Sequence, residues 1–79
     1  MQMFNGKVVC PRCDGNGLIY QAKIVDVKLT VYICDECEAS WISADIRKDN
    51  FQDLTTFLES NNLIYSKAQI LDLGYEWKK

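Results

Sequence analysis

Cys10-Pro-Arg-Cys13 and Cys34-Asp-Glu-Cys37 decide how this chain is read. They are two C-x-x-C pairs with twenty residues between them, and they use all four cysteines of a 79-residue sequence that contains no histidine. Thiolate is a strong ligand for soft and borderline metals, and two pairs at such a separation point to one tetrahedral site made of four sulfurs. Each pair is expected to form a tight turn whose backbone amides point back at the sulfurs. The segment between the pairs is long enough to run out and return as a hairpin, placing Cys34 and Cys37 beside Cys10 and Cys13.

That layout is a zinc ribbon. Disulfides are the first competing use of the cysteines, but they need an oxidising compartment. Met1-Gln2-Met3-Phe4-Asn5-Gly6 has neither the charged start nor the apolar run of a secretory signal, so a cytoplasmic setting is expected. A thioredoxin-like redox centre needs one C-x-x-C at a helix start and leaves the second pair unexplained. Iron also suits four sulfurs in a tetrahedron and is the competing metal; one structural Zn2+ is the expected cofactor. Four protein thiolates close the shell and leave no vertex for water, so the ion is expected to supply folding energy rather than hydrolytic chemistry. A chain of 79 residues is near the size at which one apolar core suffices, and such domains often need a metal. Without it the N-terminal half is expected to be largely unfolded.

Outward from the first pair, Gly15 and Gly17 permit positive φ and let the chain turn away from the metal. Leu18 to Val25 alternates as a strand, with Leu18, Tyr20, Ala22 and Ile24 on one face and Ile19, Gln21, Lys23 and Val25 on the other. A turn follows near Asp26, and Leu29, Val31 and Ile33 mark the strand returning to the second pair. Trp41-Ile42-Ser43 is expected to be a third strand, and Lys7-Val8-Val9 can pair ahead of the first knuckle. Tyr20 and Trp41 are expected to shield the metal.

After Asp45 the pattern becomes helical. Phe51, Leu54, Phe57 and Leu58 recur at helix spacing, which predicts a helix from Phe51 to about Ser60, capped by Asn50 and ended by Asn61-Asn62. A second helix is predicted from Lys67 to Leu73, with Ser66 as its cap and Gly74 as its stop. The expected architecture is thus a single α+β domain over residues 1–79. Residues 1–45 form the metal-binding ribbon of about three strands, and residues 46–79 form two helices packed on its sheet.

The formal charge is −2, from nine basic and eleven acidic residues. It becomes about −4 once four thiolates and a divalent ion are counted. Asp35, Glu36 and Glu38 make the second knuckle acidic, and basic residues form no stripe of the kind that grips nucleic acid. Nucleic acid and membranes are therefore not the expected partners. Neither a histidine base nor a Walker-type phosphate loop is present, and the carboxylates show no catalytic pairing, so an enzyme is not expected.

Cys10-Pro-Arg-Cys13-Asp-Gly-Asn-Gly17 resembles half of the cysteine-rich repeat of J-domain chaperones, although the second pair lacks the glycines. A broader resemblance is carried by Cys10 to Gly17, by Tyr32-Ile-Cys-Asp-Glu-Cys37 with Trp41, by the Phe/Leu helix and by Leu73-Gly-Tyr-Glu-Trp77. Together these are similar to small bacterial zinc-ribbon proteins, some of which are immunity proteins beside polymorphic or contact-dependent toxins. That resemblance implies a non-enzymatic protein-binding module with a basic toxin as its partner, and acidic Asp35, Glu36 and Glu38 would suit such a partner. A nucleic-acid-binding ribbon in transcription or translation is the alternative. A rubredoxin-like electron carrier is a further one, opposed by Glu38 standing where a glycine would follow Cys37.

Overall fold

The structure is a computed structural model that describes residues 2–13 and 15–78. Seven strands form one antiparallel sheet: β1 (Met3–Phe4), β2 (Lys7–Val9), β3 (Leu18–Ile24), β4 (Leu29–Cys34), β5 (Ala39–Trp41), β6 (Gln52–Asp53) and β7 (Ile70–Gly74). Among the described residues there is a single helix, α1 (Leu54–Ser60), which follows β6 directly. The sheet runs β1-β2-β3-β4-β5-β6, and β7 pairs with β3. β2 covers β3 only at Leu18 and Ile19, so β7 takes the rest of that edge, opposite Gln21 to Ile24.

This architecture corrects the expected α+β ribbon with two C-terminal helices. The fold is mostly β, and residues 46–79 contribute two strands and one short helix. The predicted helix over Lys67–Leu73 is replaced by β7. A helix of that length gains few hydrogen bonds for its nucleation cost, whereas a strand there satisfies an otherwise open edge of β3. Val25 N donates to Gln69 O at 2.9 Å and Gln69 N donates to Asp26 Oδ2 at 2.9 Å, so the β3–β4 turn sets where β7 begins. Ser66 caps no helix; it lies within a turn in which Lys67 N and Ala68 N donate to Ile64 O.

The remaining helix is shorter than periodicity suggests. Asp53, not Asn50, is its N-cap, accepting from Thr56 N at 3.3 Å. Asn50 is used elsewhere: its Oδ1 accepts from Trp41 Nε1 at 2.7 Å and from Arg47 N at 3.0 Å, pinning the loop after β5. The C-terminal end matches expectation. Asn62 adopts φ 63°, Leu63 N donates to Leu58 O and Asn62 N to Glu59 O, the pairing of a Schellman cap.

Both faces of the sheet are covered, and each has its own core. Val8, Cys10, Ile19, Cys34, Ala39, Trp41 and Ile46 are buried together on one side. Ala22, Ile24, Val31 and Ile33 are buried on the other side beneath Leu54, Phe57 and Leu58 of α1. Trp41 lies in the first cluster with the cysteines, as expected, but Tyr20 packs into the second. The third strand is Ala39–Trp41, and Ile42 is exposed rather than paired. Leu58 is fully buried, so Leu58→Ala is expected to lower the unfolding free energy of the metal-loaded protein by about 2–5 kcal/mol in urea titration.

Candidate metal centre

β2 and β4 flank β3 and run in the same direction, so their C-terminal ends arrive side by side. Val8 and Cys34 are both register partners of Ile19, and Cys10 lies two residues beyond Val8, so Cys10 and Cys34 share the Ile19 face. Two backbone hydrogen bonds extend the ladders into the knuckles: Cys10 N to Gly17 O at 3.0 Å and Asp35 N to Leu18 O at 3.1 Å. The β3–β4 hairpin, with β2 alongside it, therefore brings all four cysteines to one point.

The four sulfurs lie within 4.8 Å of one another. Cys10 Sγ is 3.7 Å from Cys37 Sγ, and Cys13 Sγ is 3.6 Å from Cys34 Sγ. A tetrahedron with metal–sulfur bonds of about 2.3 Å has edges of about 3.8 Å, so these separations fit a shared ion. They are far beyond the ~2.05 Å of a disulfide, and all four cysteines are free. The chain is thus a β-sheet protein whose four cysteines could hold one metal ion. Comparison with family models, with curated proteins and with solved structures finds no match.

Both knuckles aim amides at sulfur. Glu36 N and Cys37 N donate to Cys34 Sγ at 3.4 and 3.5 Å, and the amides of Cys13 and Arg12 do the same for Cys10. Burial raises the Cys10 and Cys34 thiols above their ordinary range, against those amides. For Cys37 burial also opposes ionisation, but hydrogen bonds from the Ala39 amide, Cys34, Arg12 and Cys10 outweigh it and bring the thiol down to about 7. Of these three thiols, Cys37 is the most readily ionised at neutral pH.

A metal must displace at least the protons on Cys10 and Cys34. Protons and metal compete, so affinity falls as pH is lowered. Apparent metal affinity is expected to rise by at least about 100-fold per pH unit between pH 6 and 8, because no fewer than two protons are released. Chelator competition at several pH values would measure the slope, and a flat dependence would contradict it.

Several residues that build the site carry no metal-ligand signature. A Cβ on Gly17 would overlap Cys34 Sγ and would stand 3.0 Å from Glu36 Cβ and 3.1 Å from Asp35 Oδ1. Gly17 is therefore needed for space, while Gly15, at φ 82°, is the one needed for backbone freedom. Arg12 Nη1 donates to Cys37 O at 3.2 Å and its guanidinium sits 4.9 Å from the Phe51 ring, tying the first knuckle to the second.

The acidic residues of the second knuckle are exposed, but two of them are engaged. Asp35 accepts from Leu18 N through Oδ1 at 3.0 Å and from Tyr75 OH through Oδ2 at 3.0 Å. Glu38 sits at φ 58°, a left-handed conformation disfavoured for a residue with a side chain. It is held there by Leu54 N donating to its carbonyl at 3.0 Å and by Tyr65 OH donating to Oε2 at 2.6 Å. Among the described residues the Glu36 side chain accepts no hydrogen bond. The Glu38 hydrogen bond and burial push Tyr65 up to about 12; burial and the Asp35 hydrogen bond do the same for Tyr75. Both phenols therefore stay protonated donors at neutral pH.

A hollow of about 370 Å³ lies beside the first knuckle, lined by Gln2, Met3, Phe4, Val9, Gly15 and Leu18. None of these side chains is an acid, a base or a nucleophile. Among the described residues no helix is long and apolar enough to cross a membrane.

Proposed function

We propose that the four cysteines hold one structural zinc ion and that the module so stabilised is non-enzymatic and works by binding another protein. The observation that carries this reading is the convergence of four sulfurs at the separations of a tetrahedron, which leaves no vertex for water or substrate. Thiolates with imidazole absent favour zinc or iron, and four closed ligands suit a folding role. The partner we propose is a basic bacterial toxin, which the protein occludes as an immunity protein. Two things support that choice: the resemblance carried by the cysteine motifs together with Trp41, the Phe/Leu helix and Leu73 to Trp77, and an acidic balance that speeds association with a basic surface.

Glu36 is the acid of the second knuckle best suited to contact a partner, because Asp35 and Glu38 already serve the fold. The test is calorimetry of the zinc-loaded protein against a toxin encoded by a neighbouring gene. One-to-one binding with a sub-micromolar Kd is expected, with Glu36→Ala changing mainly the association rate and its salt dependence. Absence of binding, with the toxin still active on its target, would remove the immunity reading. Iron in the purified protein, or less than about half an equivalent of any metal, would remove the zinc reading separately.

A further inference from the structure

The chain beyond β7 returns to the metal half instead of leaving the molecule. Tyr75 OH donates to Asp35 Oδ2 at 3.0 Å, inside the second knuckle. Trp77 Nε1 donates to Ile19 O at 3.0 Å, and its ring lies 4.4 Å from Tyr32. Trp77 packs against the same buried cluster that holds Cys10 and Cys34. Ile19 is the register partner of Cys34, and Tyr32 precedes Cys34 by two residues on the same strand and face. Trp77 thus covers the strand pair on which Cys34 is mounted.

Asp35 links these contacts to the ligands. It sits between Cys34 and Cys37, in the turn whose Glu36 and Cys37 amides hold Cys34 Sγ. One carboxylate oxygen takes the start of β3 at Leu18 and the other takes Tyr75. With both oxygens held, the turn has little freedom to swing its sulfurs away. Groups that orient ligands in this way commonly change metal affinity by about 10–100-fold when removed.

We propose that residues 75–77 are a strap forming the outer support of the metal centre, with Tyr75 and Trp77 as positioning residues, so that docking of the strap and retention of the metal are one coupled equilibrium. The proposal rests on the metal reading above. Coupling of this kind is reciprocal: whatever factor the strap adds to metal affinity, the metal adds to strap docking.

The test uses the zinc-loaded full chain and compares Tyr75→Phe, Trp77→Phe and the double variant with the parent. Tyr75→Phe removes only the hydroxyl, and Trp77→Phe removes the indole donor but keeps a ring. Zinc transfer to a colorimetric chelator, followed well below the melting temperature, is expected to be about 10-fold faster for each single variant and about 100-fold faster for the double. Cobalt(II) substitution should keep the thiolate charge-transfer band and the tetrahedral ligand-field bands, showing four sulfurs still bound. Hydrogen exchange over residues 75–78 should quicken in the variants, while that of α1 is unchanged.

Leu58→Ala is the control for stability alone, since it weakens the core on the opposite face of the sheet. It should lower the melting temperature without speeding zinc transfer. Zinc transfer within twofold of the parent for Tyr75→Phe, or equally fast transfer from Leu58→Ala, would overturn the strap. If the parent with cobalt(II) shows no thiolate band, the metal reading fails, and the strap proposal fails with it.

Discussion

Cys34→Ser is expected to leave the protein without metal and without its cooperative fold. Cys34 is fully buried, closes β4 opposite Ile19 and supplies one of four convergent sulfurs. A hydroxyl in its place is a poor ligand, so three thiolates would remain crowded together with no cation among them. Structural zinc in small domains contributes about 10–16 kcal/mol at neutral pH. A whole domain is stable by only about 5–15 kcal/mol, so the loss is as large as the entire stability of such a fold. The variant should match the parent treated with a strong chelator: no bound metal by elemental analysis, and no sigmoidal thermal transition by circular dichroism. A variant that retains one equivalent of metal and melts within a few degrees of the parent would refute this.

Gly17→Ala is expected to have the next largest effect, although the change is one methyl group. The added Cβ would occupy the space of Cys34 Sγ, with Asp35 and Glu36 crowding it from the second knuckle. Neither neighbour can yield cheaply. Cys34 Sγ is held by two amides, and Asp35 is hydrogen-bonded through both oxygens. Overpacking alone costs about 1–3 kcal/mol, and displacement of a ligand sulfur adds the loss of metal. A drop of about 100-fold or more in metal affinity is expected, measured by chelator competition. Gly15→Ala should fail differently, since it strains a backbone at φ 82° and meets only Val9 Cγ1 at 3.3 Å. Equal metal affinity in Gly17→Ala and the parent would show that the second knuckle is softer than its hydrogen bonds imply.

The metal centre was legible because its information is local. Two C-x-x-C turns carry their own amide-to-sulfur geometry, and the alternation of Leu18 to Ile24 and Leu29 to Ile33 reads as two strands that return on each other. Asn5-Gly6 is a further local signal, a strong two-residue hairpin turn. It joins β1 to β2 with φ of 51° and 79°. The support around the ligands was illegible for the opposite reason. Tyr75 and Asp35 are forty residues apart, and Trp77 and Ile19 are fifty-eight apart. No spacing rule connects them until the sheet has formed.

The helical reading of Lys67 to Leu73 failed at the same boundary. Ile70, Leu71 and Leu73 are compatible with either a short helix or a strand, and periodicity over so few residues cannot decide between them. What decided it was the open edge of β3 from Gln21 to Ile24, which β2 does not reach and which β7 fills. Asn50 tells the same story, drawn away from helix capping by the buried indole of Trp41. The sequence by itself determined the four sulfurs, the hairpin between them and the left-handed stop at Asn62, each set by neighbouring atoms in the chain. Only the tertiary structure decided that the C-terminal part joins the sheet and straps the second knuckle, because unpaired backbone groups and buried donors take whichever partner the rest of the fold brings within reach.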